Sequence, residues 1–314
     1  MTTPTSVTTE APLSGSLLSQ RKARWGERLA KALLQLAAAM SIAITAGIVL
    51  ALALPSIEFF RSVGVTDFLF GTRWAPQFAN ATFGVVPLVT ATLWTTAIAL
   101  TVSVPVGLGA AVFLSEYAKP RLRKTLKPVL ELLAGVPTVV YGLFALQFVQ
   151  STLIKEWLGW ETGAFSVLAA GLVMGVMIVP TIASISEDAM SAVPQALRQG
   201  SAALGANRMQ TTLRVVLPAA VSGIAAAVVL GISRAVGETM IVALAAGNQA
   251  TIVTGPLQQG QTMTGFIANA ALGDSRVGSL EYDTLFAVGL LLFLITLLIN
   301  FISIRIVRRV REAY

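Results

Sequence analysis

The stretch SRAVGETMIV, residues 233–242, carries an arginine and a glutamate four residues apart, Arg234 and Glu238. They are the only charged residues between Arg214 and Asp274, in a run of otherwise apolar or small side chains. Positions i and i+4 of one helix share a face, so the spacing predicts that the two can pair. A charge at the centre of a bilayer costs at least ~2.5–3.5 kcal/mol on insertion scales. Pairing lowers that cost but rarely makes the pair better than two apolar residues. The structural reading is an ion pair, within the helix or to a neighbour. The functional reading is a charge facing a solute path, where ionisable groups inside membranes usually sit. Arginine stays protonated, and its planar fork of donors matches the oxygens of an oxyanion. Glu238 repels such an anion. It suits two roles: neutralising Arg234 while the path is empty, or accepting a proton from an oxyanion that carries one. Thr239 adds a hydroxyl at the next position.

A second candidate is AGVPTVVYG, residues 134–142. Pro137 removes a backbone donor and frees a carbonyl, so a kink is expected there, beside Gly135. Thr138 and Tyr141 place hydroxyls next to the kink. They serve either as packing groups bonded to their own helix or as polar lining of a path. A third candidate is the segment 187–220, EDAMSAVPQALRQGSAALGANRMQTTLRVVLPAA. Its pattern predicts a short amphipathic helix, a turn at Gly205, and a second short helix entering the membrane, together a compact knob. As an ordinary interfacial loop it would merely join two spans.

Composition defines the elements that must hold these residues. The chain has 314 residues, 55% hydrophobic and 12% charged, with a mean hydropathy of +0.77. Soluble domains are about a quarter charged, so the chain is read as an all-α integral membrane protein. With no cysteine and no histidine, disulfides, Cys/His zinc sites and histidine acid–base catalysis are excluded. Six apolar runs of spanning length are expected, at about 32–54, 83–115, 128–150, 165–185, 215–247 and 284–306. The second is expected to tilt or break near Pro105. Gly171 and Gly175, four apart in the fourth, read as a small-residue packing face. The first apolar run starts only near Ala32 and lacks a small-residue cleavage site, which argues against a signal peptide. The net charge of +7 raises nucleic acid as a partner. Yet seventeen of the 22 basic residues fall in the segments flanking alternate spans, which is a topology signal that puts both termini in the cytoplasm. The opposite segments, 55–82, 151–163 and 248–283, are expected to form short surface structures near the interface, open to a partner. The chain has no Gly-x-x-x-x-Gly-Lys-[Ser/Thr] loop and hence no visible ATPase site of its own.

The third candidate resembles the coupling motif of ABC importer permeases, Glu-Ala-Ala, three residues, Gly, nine residues, Ile-x-Leu-Pro. Here Gly205 is followed after nine residues by Val215, Val216, Leu217 and Pro218; Gln199, Gly200 and Ser201 replace Glu-Ala-Ala. Together with FLFGTRWAP, AGVPTVVYG and RAVGETM, it makes residues 65–310 similar to the PstC family of phosphate permeases. The resemblance implies a six-span, MetI-like type I importer fold in a bacterial cytoplasmic membrane. It also implies a phosphate path lined by Arg234, Glu238, Thr239, Thr138 and Tyr141. Residues 199–201, Gly205, Val215, Leu217 and Pro218 would contact the ATPase. The implied partners are a homologous permease of the PstA type, two copies of a PstB-type ATPase and a PstS-type phosphate-binding protein. ATP and magnesium would sit on the ATPase, leaving this chain without a cofactor and without an enzymatic site. The implied organisation is a disordered tail at 1–28, the first span and outer segment at 29–82, a permease core at 83–308 with the coupling loop at 187–218, and a short tail at 309–314. The rivals are a permease for sulfate or molybdate, a self-sufficient channel or secondary carrier, and a scaffolding or sensory subunit.

Overall fold

The computed structural model describes residues 25–311 except 79 and 274–275; side-chain positions at 25, 306 and 308–311 are likewise outside the described set. Of the tails expected at 1–28 and 309–314, residues 1–24 and 312–314 lie outside it, while 25–28 and 309–311 belong to the terminal helices. Residues 1–50 and 51–314 form two separate units. The described part of the first is the apolar start of helix α1, Trp25–Ser62.

The second unit holds the end of α1 and the rest of the chain. Short α2 (Val65–Phe70) leads to a two-stranded antiparallel ribbon, β1 (Trp74–Ala75) against β2 (Thr82–Phe83). Then come α3 (Val86–Val112), α4 (Pro120–Ala134), α5 (Thr138–Phe144) and α6 (Val167–Ser191). The coupling segment holds α7 (Gln195–Ala203) and α8 (Arg208–Thr211), and α9 (Leu217–Val236) follows. The chain closes with α10 (Met240–Ala245), α11 (Met263–Leu272) and α12 (Leu280–Arg311). Three stretches widen into π-helix: 113–117 after α3, 145–157 after α5, and 212–216 joining α8 to α9. Pro105 sits within α3 without ending it.

Five helices are long and apolar enough to cross a membrane, and a sixth crossing is available if α4 and the helix Thr138–Trp157 count as one bent span. The packing of α3 on α6 decides the count. A Cβ on Gly171 would meet Ile98 at 2.7 Å, one on Gly175 would meet Val102 at 2.9 Å, and one on Gly107 would meet Ile182 at 2.9 Å. Residue numbers rise together along this seam, so the two helices run parallel. Parallel neighbours require the chain between them to return across the membrane once. The Gly171–Gly175 face is thus the close helix contact its spacing predicts. By contrast α9 runs antiparallel to α6, with Gly223 against Ala189 and Gly231 against Ile178 and Ile182.

Two expectations need correction. The third span is not a kinked helix over 128–150. The chain turns by 84° between α4 and the helix Thr138–Trp157, so this apolar run is two helices at a break. Gly135 ends α4, and Pro137 cannot donate to continue it. Nor are 55–82 and 248–283 only surface structures. Phe68 and Trp74 are buried in edge-to-face contacts with Phe59 and Phe266. In the later segment Val253 and Gln261 through Phe266 are buried, because the loop folds back into the helical core.

Candidate translocation and coupling site

Arg234 and Glu238 do not share a helix. α9 ends at Val236, Gly237 follows, and a new short helix starts at Met240. Glycine is a poor helix former, and the glutamate side chain competes for backbone donors just beyond it. Glu238 Oε1 accepts from the backbone N–H groups of Met240 at 3.1 Å and Ile241 at 3.3 Å, capping α10. The Glu238 carbonyl accepts from Thr264 Oγ1 on α11 at 2.7 Å. The first donors of α10 and the Glu238 carbonyl are thereby satisfied inside the protein, as membrane depth demands. Glu238 is 8% exposed. Thr239 donates from Oγ1 to the Gly237 carbonyl at 3.3 Å.

Arg234 is partly buried at the end of α9, and none of the described ion pairs includes it. Its contact is neutral: Nη1 lies 3.5 Å from Thr181 Oγ1, the outer limit of a hydrogen bond. Thr181 follows Pro180 in α6. One residue earlier, Ser233 Oγ bonds Asn300 of α12 at 3.0 Å. The predicted intrahelical pair is therefore replaced by an arginine with spare donors and a glutamate committed to the backbone.

The Thr138–Tyr141 turn belongs to the same region. Gly142 brings α5 onto α10: a Cβ there would meet Leu244 at 2.7 Å and the Met240 carbonyl at 3.1 Å. The Tyr141 hydroxyl donates to the Leu133 carbonyl across the bend at 2.8 Å, joining the Val136 N–H on that acceptor at the end of α4. Thr138 opens α5 and is partly buried.

The coupling segment begins at 192 rather than 187, since α6 continues to Ser191. α7 carries Gln199, Gly200 and Ser201. Gly205 then takes φ +81°, a left-handed value that favours glycine. Asn207 and Gln210 cap α8 reciprocally through each other's backbone N–H at 2.9 Å. From Arg208 to Val236 the helix runs unbroken for 29 residues, through Val215, Leu217 and Pro218. Ser201 and Thr211 hydroxyls, 2.9 Å apart, tie the two arms of the knob. Leu204 at its tip is 90% exposed and Met209 is 62% exposed. Val216 and Ala220 bury its base against Ala111, Met190 and Val193.

A polar clamp around this knob is not evident from sequence spacing. Glu187, fully buried in α6, is held by Arg123 and by Lys127 of α4, the latter at 2.9 Å, and accepts from Ser191 Oγ at 2.8 Å. Lys127 also pairs with Asp188. Arg198 of α7 reaches Glu116 at 2.9 Å and the Met190 carbonyl at 2.8 Å. The one available signal was two adjacent acids ending a span beside a basic loop. These bonds join α4, α6, α7 and the end of α3.

Residues 103–312 match the model of the family described as binding-protein-dependent transport system inner membrane component. The chain belongs to this family. Among its curated relatives, the probable ABC transporter permease YqgH of Bacillus subtilis is 37% identical, covering 93% of this chain and 96% of that one. The phosphate transport system permease protein PstC 1 of Mycobacterium tuberculosis is 39% identical, covering 74% of each. A PstC of Haemophilus influenzae is 30% identical over 92% of this chain and 95% of its own. A chain of a bacterial alginate ABC transporter, solved with an alginate pentasaccharide-bound periplasmic protein, has the same fold with a TM-score of 0.65, 17% identity, and coverage of 90% and 95%. A chain of the MetNI methionine ABC transporter gives a TM-score of 0.54 at 23% identity, over 72% and 94%. The chain is thus an ABC importer permease, a transport subunit that works beside an ATPase and a substrate-binding protein.

Proposed function

We propose that this membrane permease forms, with a homologous permease of the PstA type, the path of an ATP-driven importer of inorganic phosphate. The observation that carries the reading is the 39% identity to a phosphate transport system permease over three quarters of the chain. Arg234 supplies the chemistry: an ever-charged donor fork at the break of a span, with only a distant neutral contact. Two PstB-type ATPases would take up the knob at Gly205, holding ATP and magnesium, while a PstS-type protein delivers phosphate on the far side. On this reading the segregation of basic residues puts the knob, α4 and both termini on the cytoplasmic side and the chain in the cytoplasmic membrane. ATP-driven closure of the ATPases would move the knob, and the α8–α9 helix would carry that motion to Arg234.

The test is uptake of labelled phosphate into vesicles carrying the complete complex, with and without ATP inside the appropriate compartment. Accumulation that requires ATP and resists a large excess of sulfate is the expected result. Equal competition by sulfate or molybdate would instead make this a general oxyanion permease. Uptake by the chain without an ATPase would make it a channel or secondary carrier. Intact uptake in Arg234→Ala would leave the chain a scaffolding or sensory role.

A further inference from the structure

Helix α4 is not needed to cross the membrane. Thr138–Trp157, the 7 residues of α5 and the 13 of its π-helical extension, already reaches about 25–30 Å, the thickness of the hydrocarbon layer. α4 meets it at 84°, so if α5 stands across the bilayer, α4 lies nearly in its plane. At about 100° per residue, its side chains divide into four faces. Arg123, Leu126, Lys127, Leu130 and Ala134 are partly buried on the face toward α6. On one flank Leu122, Val129 and Leu133 are 42%, 47% and 44% exposed. On the opposite flank stand Lys124 and Glu131, and on the face turned away from α6 Arg121 lies beside Leu132, which is 73% exposed.

An inner seam, an apolar flank and an N-terminal end that exposes Lys119, Arg121 and Lys124 make an interfacial helix, and opposite charge selects its partner. We propose that α4 binds anionic phospholipid headgroups of its own leaflet through Lys119, Arg121 and Lys124, with Leu122, Val129 and Leu133 dipped into the acyl boundary. Those three cations take part in none of the described ion pairs, whereas Arg123 and Lys127 are committed to Glu187 and Asp188. The lipid surface is therefore tied to the end of α6 by the same short helix. This inference requires membrane insertion, not phosphate as the substrate.

The chain has no cysteine, so with any cysteines of the partner subunits replaced, spin labels can be placed singly at 122, 129, 133, 124 and 131 in the complete transporter, reconstituted in nanodiscs with or without phosphatidylglycerol. Labels at 122, 129 and 133 are expected to be reached by oxygen and shielded from an aqueous nickel chelate, and those at 124 and 131 the reverse. Retention of phosphatidylglycerol over phosphatidylcholine should fall about fivefold for each cation removed in Lys119→Gln, Arg121→Gln and Lys124→Gln, and vanish at high salt. Equal nickel access on both flanks would overturn the proposal, as would unchanged lipid retention in the triple variant. Labels at 122 and 133 immobilised only when partner subunits are present would show that a protein, not lipid, covers this flank.

Discussion

Arg234 and Glu238 are joined in sequence but separated in role by the break at Gly237. Arg234→Lys keeps the charge and loses the planar fork, so phosphate uptake is expected to fall by roughly tenfold while the folded complex is retained; wild-type uptake would reduce Arg234 to a structural charge. Glu238 is tested by two substitutions measured side by side. Glu238→Gln keeps an oxygen that can cap α10, whereas Glu238→Ala leaves the donors of Met240 and Ile241 open and costs about 1 kcal/mol. If thermal stability falls only in the alanine variant but uptake fails in both, the negative charge matters to transport as well as to the cap. The sequence made both residues conspicuous because charges are rare in so apolar a run. It did not disclose their separation, because i, i+4 spacing says nothing about whether the helix persists between them. Thr181 gave no signal at all: a threonine after a proline in a span is ordinary until an arginine arrives from another helix.

Among the elements, the knob was the most legible, since a positive-φ glycine, a capping box and a Leu-Pro helix entry are all local chemistry. Gly205→Val has open space for its side chain but must place it at φ +81°, costing about 1–2 kcal/mol. Loss of transport-coupled ATP hydrolysis in the assembled complex, with the chain still inserted, is the expected result. Co-purification of an ATPase should likewise be lost when 199–218 is disrupted. The clamp beneath the knob depends on contacts 60 or more residues apart, such as Lys127 with Glu187, which no local pattern encodes. Glu187→Ala removes the acceptor that Arg123 and Lys127 share, leaving Arg123 with Ser191 and Lys127 with Asp188. A fully buried pair broken in this way loses about 3–5 kcal/mol. Because the Arg123 side chain is 38% exposed, about 1–3 kcal/mol is expected here, read as a lower melting temperature of the solubilised complex.

For the molecule as a whole, the six apolar runs were readable from hydropathy alone, because the bilayer imposes one length on every crossing. What hydropathy concealed was the middle of the chain: α4 is amphipathic, an 84° break separates it from Thr138–Trp157, and the 248–283 segment returns to the core through scattered apolar residues, Val253, Met263 and Phe266. The parallel seam of α3 and α6 predicts that cysteines introduced at 124 and 161 will react with an impermeant reagent from opposite sides of the membrane. Labelling from the same side would remove the third crossing and with it the six-span arrangement. The unbroken helix from Arg208 to Val236 has a further consequence, in simple mechanics. Its 29 residues make a rod of about 43 Å, and tilting it by about 5° around its middle displaces each end by roughly 2 Å. The guanidinium of Arg234 sits 3.5 Å from Thr181, at the very edge of bonding. A swing of that size exceeds the slack in the Arg234–Thr181 contact, so on the proposed coupling even a slight tilt of the rod would change what Arg234 touches.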